Sequence, residues 1–353
     1  MKTFKKSLLT STAIVMTAIL AGCSDNSSES SPEEPIKISP ENITFEWQGA
    51  YENKIDEFKN STEFSGDIDA GSRFDLVDIT NDGTPELIIS PNNDASASCE
   101  IYSYTNGSVA SIGTIGSNGM FCYLPDVKLI KDEYQGNSFI LGKYLSYEDG
   151  ELNNILTYKD NSKWAASGGS IIHEINGEEV LLPEYDSALA PYEEEPYISI
   201  GRKYTFGETA VKYALRRSES WGAVLTSNEK SLYHTKLMEK LTESTETENN
   251  YAFELCDLNG DDIPELIISK GTDPDSSCEI YYFSGNELVQ AEGEFGENGQ
   301  FSFDAENLVF FTEFSCWSIN NANFSAENYV VSDSVAEIGR KNLLTLKNID
   351  SAF

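Results

Sequence analysis

Apolar positions along the chain follow two rhythms. Within Glu41–Lys59, Phe45, Trp47, Tyr51, Ile55 and Phe58 recur mostly at three- and four-residue spacings, which predicts an amphipathic helix. Ser227–Leu241 repeats the pattern with Leu232, Tyr233, Leu237 and Leu241. After each helix come a polar connection and then short apolar runs, the rhythm of strands. Tight glycine turns between these runs, as in Gly116-Ser-Asn-Gly119 and Gly296-Glu-Asn-Gly299, predict antiparallel hairpins. Further strand-like runs follow at Phe139–Tyr147, Ile155–Tyr158 and Ile171–Leu182, then a short helix over Pro183–Tyr192. A helix around Phe206–Trp221 is expected to join the two series. The second series ends sooner, on Tyr329–Val335 and Leu343–Leu346.

The two series are one unit written twice. Phe74–Tyr104 and Phe253–Phe283 align without a gap at an offset of 179, with 16 of 31 positions identical. Helix and strands are segregated within each copy, so the expected fold class is α+β. Two homologous domains are expected, 41–200 and 201–353, each an N-terminal helix packed on an antiparallel sheet.

The first 22 residues break from this pattern. Lys2, Lys5 and Lys6 precede an apolar run, Leu8–Leu20, too short to span a membrane as a mature helix. The run ends in Leu20-Ala21-Gly22-Cys23, which resembles the bacterial lipobox. The resemblance implies a signal peptide over 1–22, cleavage before Cys23 and lipidation of its thiol, hence a membrane anchor on the extracytoplasmic side of the cell envelope. Residues 23–40, rich in Ser and Pro, are expected to form a flexible tether.

With 24 basic against 59 acidic residues, the net charge of −35 repels phosphate backbones, so no nucleic-acid partner is expected. The 18 Tyr, 18 Phe and 4 Trp exclude a disordered polyanion.

Each copy carries an acidic loop between two strands, Asp78–Glu86 and Asp257–Glu265. Oxygen donors at loop positions 1, 3 and 5, a carbonyl at 7 and a closing carboxylate suit a hard cation such as Ca²⁺. In the first loop these are Asp78, Thr80, Asp82, the Thr84 carbonyl and Glu86; in the second, Asp257, Asn259, Asp261, the Ile263 carbonyl and Glu265. The closing acid sits at position 9, where a helix-flanked EF-hand has it at 12. Asp262 occupies the sixth position, where a left-handed turn glycine is usual. The pattern resembles the calcium loops of FG-GAP and related β-repeat proteins, and a family of uncharacterised bacterial surface proteins reading F-x-L-x-D-x-x-x-D-x-x-P-E-L. Two copies are too few for a propeller. The resemblance implies architecture and a structural Ca²⁺ more than an activity. An acidic turn whose side chains bond their own backbone is the alternative.

Export permits disulfides. Cys99 and Cys122 are the first domain's only cysteines and are expected to pair. In the second, Cys278 is expected to pair with Cys316 in preference to Cys256. His173 and His234, the only histidines, read as ordinary surface or core residues, and no catalytic motif occurs. The expected function is a non-enzymatic binding or adhesion module for a glycan or protein. The rival is an envelope hydrolase, or an inhibitor of one, with a site between the domains.

Overall fold

The computed structural model describes residues 45–353 except 81, 95–96, 117–119, 149, 163–169, 248, 274, 294, 297–300, 313–314, 321–322 and 327–329. The expected signal peptide over 1–22, Cys23 and the expected tether over 23–40 lie outside the described residues.

Chain order follows the duplicated plan. In the first half, helix α1 (Glu46–Lys59) precedes a meander of β1 (Arg73–Val77), β2 (Glu86–Ser90), β3 (Cys99–Thr105) and β4 (Ser108–Ile115). A second meander runs through β5 (Met120–Leu124), β6 (Leu129–Gln135), β7 (Ile140–Glu148), β8 (Glu151–Asp160), β9 (His173–Ile175) and β10 (Glu178–Val180). Helix α2 (Leu182–Glu193) and β11 (Ile198–Ser199) close this half, and α3 (Glu208–Val224) leads out of it. The second half repeats the order with α4 (Ser227–Thr247), then β12 (Ala252–Cys256), β13 (Glu265–Ser269), β14 (Cys278–Ser284) and β15 (Glu287–Gln290). Its second meander is β16 (Ser302–Asp304), β17 (Val309–Thr312), β18 (Ser315–Asn320) and β19 (Asn323–Ala326). Strands β20 (Val335–Glu337) and β21 (Asn342–Leu343) and helix α5 (Leu346–Ser351) end the chain.

The paired strands described are antiparallel, in sheets ordered β1-β2-β3-β4, β10-β9-β8-β7-β6-β5-β11, β15-β14-β13-β12-β21 and β19-β18-β17-β16-β20. The fold is α+β, and no helix among the described residues is long and apolar enough to cross a membrane.

Burial explains the shared Glu-Leu-Ile-Ile-Ser segments. All five residues of β2 and of β13 are buried, because each sheet is covered on both faces. In the first half, Phe74, Leu76, Leu87 and Ile89 pack under Trp47, Tyr51 and Ile55 of α1 and Val211 and Leu215 of α3. Ile88 and Ile101 face the other way, onto Phe121, Tyr123, Ile130 and Leu145 of the second sheet. The second half matches: Tyr233 and Leu237 of α4 and Ile349 of α5 cover one face of its first sheet. Phe301, Phe303 and Phe310 cover the other.

One tyrosine in each leading helix fixes the helix to its sheet in the same way. The Tyr51 hydroxyl donates to the Pro85 carbonyl at 2.7 Å, and the Tyr233 hydroxyl donates to the Pro264 carbonyl at 2.7 Å. Both prolines precede the closing glutamate of an acidic loop, so the helices hold the loops from behind.

The halves also close alike. Ile200-Gly201-Arg202-Lys203 returns as Ile338-Gly339-Arg340-Lys341 at an offset of 138, so the second half is 41 residues shorter between loop and tetrapeptide. The Gly201 N–H donates to Asp75 of β1, and the Gly339 N–H donates to Glu254 of β12, at 2.8 and 2.7 Å. Arg202 donates to the Ala97 carbonyl and Arg340 to the Ser276 carbonyl. After the tetrapeptide, Tyr204 bridges to Phe74 and Asn342 pairs with Phe253, each adding an edge to its own half's first sheet. Tyr204 also bridges to Ala336, and Lys203 reaches Glu254 at 3.0 Å, so the two halves are tied together. All of the described residues fall within one compact unit, Ile38–Phe353.

Candidate functional site

Both acidic loops span the turn between the first two strands of their sheets, and both are wired the same way. The first aspartate takes the backbone N–H groups of the turn. Asp78 accepts from Asp82 and Gly83 at 3.2 and 3.1 Å, while Asp257 accepts from Gly260, Asp261 and Asp262 at 2.7, 3.2 and 3.0 Å. The fifth position caps the seventh: the Thr84 N–H donates to Asp82, and the Ile263 N–H donates to Asp261, both at 2.8 Å. At position 3, the Thr80 hydroxyl donates to Asp78 at 3.3 Å, and Asn259 accepts the Asp261 N–H at 2.8 Å. These side-chain-to-backbone bonds are what lets alternate residues converge on one side of the turn.

Position 6 is left-handed in both loops, with φ +89° at Gly83 and +64° at Asp262. The departure from glycine therefore falls where only a strained L-residue can stand. Asp262→Gly is expected to raise stability by up to about 1 kcal/mol, seen as a higher urea midpoint; an unchanged or lower midpoint would mean that Asp262 bonds offset the strain.

The closing glutamates are the electrostatically costly part. Glu86 is 1% exposed and Glu265 3%. Glu86 accepts from the Ile79 and Thr80 N–H groups and from the Ser103 hydroxyl, Glu265 from the Leu258 N–H and the Asn259 amide. Burial pushes the Glu86 carboxyl up to about 8, and Asp78 and Asp82 push in the same direction. Burial raises Glu265 well above the ordinary carboxylate range, with Asp257 and Asp261 adding to it. Asp257 is itself raised by burial. A dehydrated carboxylate beside two more acids is satisfied by a proton or by a hard cation. Hydrogen bonds and mutual repulsion link Asp78, Asp82 and Glu86 around the first turn, and Asp257, Asn259, Asp261 and Glu265 around the second. Among the described residues no set of three or more His, Cys, Asp or Glu side chains stands at metal-holding geometry.

The cysteines arrange differently from expectation: Cys99, Cys122, Cys256, Cys278 and Cys316 are not joined in disulfides in this structure. Strand alternation separates the expected pairs. Cys99 lies in the cluster that holds Phe121 and Tyr123, whereas Cys122, between those two on β5, packs on the opposite side. Trp317 packs on the cluster containing Cys278, which turns its neighbour Cys316 on β18 to the other face.

His234 lies on α4, 3.5 Å from Asp350 and half exposed. His173 begins β9 and packs its ring on Tyr185 of α2 at 4.9 Å. Where the halves meet, a cavity of about 410 Å³ borders the first loop, lined among others by Asp75, Asp78, Tyr123, Lys203, Arg340 and Lys341. The tetrapeptide that shapes this junction was readable in the sequence as a second repeat, at an offset the first repeat hides. Compared with known protein families, with curated proteins and with solved structures, the chain matches none.

Proposed function

We propose that this chain is an exported envelope protein, lipid-anchored through Cys23, whose two homologous α+β units each hold a structural Ca²⁺ in the loops Asp78–Glu86 and Asp257–Glu265. Its task is non-enzymatic: to present a braced binding surface to a glycan or protein outside the cell. The observation that carries the metal reading is the pair of buried closing glutamates, Glu86 and Glu265, each set beside two loop aspartates. A divalent ion there would neutralise the repulsion and lock the turn on which β1–β2 and β12–β13 depend. Bracing fits better than sensing, because strands flank both loops and leave no helix pair to open.

Calcium titration of the full-length protein, by calorimetry and thermal melting with Mg²⁺ as control, tests the reading. Two saturable sites are expected, one lost in Asp78→Ala and the other in Asp257→Ala. At a hundredfold excess over Kd each site adds about 2.7 kcal/mol. No heat and no melting shift at millimolar Ca²⁺ would reduce both loops to acidic turns.

A further inference from the structure

The hairpin β9–β10 and helix α2 belong to the stretch for which the shorter second half has no counterpart, so the shared fold is complete without them. Helix α2 covers one face of this part of the sheet, over Tyr144 and Tyr158. The other face runs on past the rows that pack against the first sheet. We propose that this second face binds a neutral saccharide, a site that rests on the glycan reading above and makes it specific.

Register places the side chains. Ile130 and Leu145 pair and are covered by the first sheet. One step along the same face lies the cross-strand row Asp132–Lys143–Thr157, and the next is Tyr134–Leu141–Lys159–Glu174. Cover falls away between the two rows: Asp132 is buried and accepts the Gly116 N–H at 3.0 Å, whereas Leu141 is 40% exposed. Together they line an open cavity of about 340 Å³, within the range of small-ligand sites. The Tyr134 ring is held ready. Phe139 meets it edge-on at 5.9 Å, and the Gly136 N–H closes the turn between them on the Phe139 carbonyl at 2.8 Å. A side chain at Gly136 would press on both rings.

The charges choose the ligand. Lys143 lies 3.2 Å from Asp132 and Lys159 lies 2.7 Å from Glu174, so the lining carries no net charge on a chain of −35. Nothing in it favours a cation, and the field of the whole molecule repels an anion or a second copy. A wholly apolar ligand would cover two ion pairs without meeting the oxygens and protons that each still offers. A pyranose meets both demands. Its C–H face stacks on Tyr134 and Leu141, while its hydroxyls donate to the carboxylates and accept from the ammonium groups on either side.

The test is calorimetry of the full-length protein with three neutral probes, maltotriose, cellotriose and triacetylchitotriose, and with trigalacturonate as the anionic control. At least one neutral probe is expected to bind, at least about tenfold tighter than trigalacturonate. Tyr134→Ala and Leu141→Asp should each weaken that probe by about tenfold. Leu141 is exposed, so its variant keeps the fold even if Tyr134→Ala loosens the turn. No heat from any neutral probe, equal affinity for trigalacturonate, or an affinity that Leu141→Asp leaves unchanged would overturn the proposal. The calcium titration reads the loops separately: Ca²⁺ binding without saccharide binding removes this site and leaves the metal reading standing, and saccharide binding without Ca²⁺ binding does the reverse.

Discussion

Glu254→Ala is expected to lower the free energy of unfolding by about 3–5 kcal/mol, the usual cost of removing one partner from a buried ion pair. Glu254 is fully buried, and its Oε2 accepts from both Lys203 Nζ at 3.0 Å and the Gly339 N–H at 2.7 Å. Lys203 keeps only 12% of its side chain exposed. Truncation takes the carboxylate from a nearly buried ammonium at the seam between the halves and from a backbone donor at a glycine held at φ +94°. The pair couples the halves because Lys203 comes from the first tetrapeptide and Glu254 from β12 of the second half. Lys203→Met should cost a similar amount, and the double variant less than the sum, since neither charge is then left alone. Urea unfolding followed by tryptophan fluorescence and far-UV circular dichroism measures all three. A loss under about 1 kcal/mol for Glu254→Ala, or strict additivity, would show that this ion pair does not help to hold the halves together.

How much of this was legible depends on whether the signal was local. The helices announced themselves because Trp47, Tyr51 and Ile55, like Tyr233 and Leu237, face one buried layer at helical spacing, and α1 and α4 fall where the period puts them. Strands β2 and β13 were legible as apolar runs, though not the reason for them, which is burial on both faces. The loops' side chains were readable from spacing, since the Asp-to-backbone bonds are between near neighbours. Depth was not: Glu86 and Glu265 look like any other acid among 59 until Tyr51 and Tyr233 are seen closing the helices over them. The cysteines misled because pairing was argued from count within each half. Alternation along β5 and β18, which decides which face each thiol meets, carried the opposite information. The cavity on the open sheet face was illegible, because it joins Tyr134, Leu141 and Glu174 across three separate strands.

The buried closing glutamates lead to the second large effect, a loss of stability with rising pH when divalent cations are chelated. In the unfolded chain Glu86 gives up its proton near the ordinary value of 4.5, but folded it holds that proton to about 8. The folded state therefore binds more protons throughout that window, and stability must fall as pH rises through it. The stabilisation is complete below about 4.5 and gone above about 8, a loss of roughly 4–5 kcal/mol for Glu86 if the whole shift is realised. Glu265, raised well above the usual range by deeper burial, extends the fall in the same direction. Glu86→Gln keeps an oxygen acceptor but carries no proton to lose, so its stability should decline much less between pH 5 and 8. Saturating Ca²⁺ should offset the fall, because the ion competes with the proton for the same oxygens and binds better where the carboxylate is ionised. Urea midpoints of the two proteins in chelator, taken every half unit from pH 4.5 to 8.5, decide the matter by difference, since every other titrating group is common to both. Diverging curves would locate the cost at Glu86. Parallel curves would mean that its carboxylate ionises as it does in water, and that the first loop has no unmet charge for a metal to satisfy.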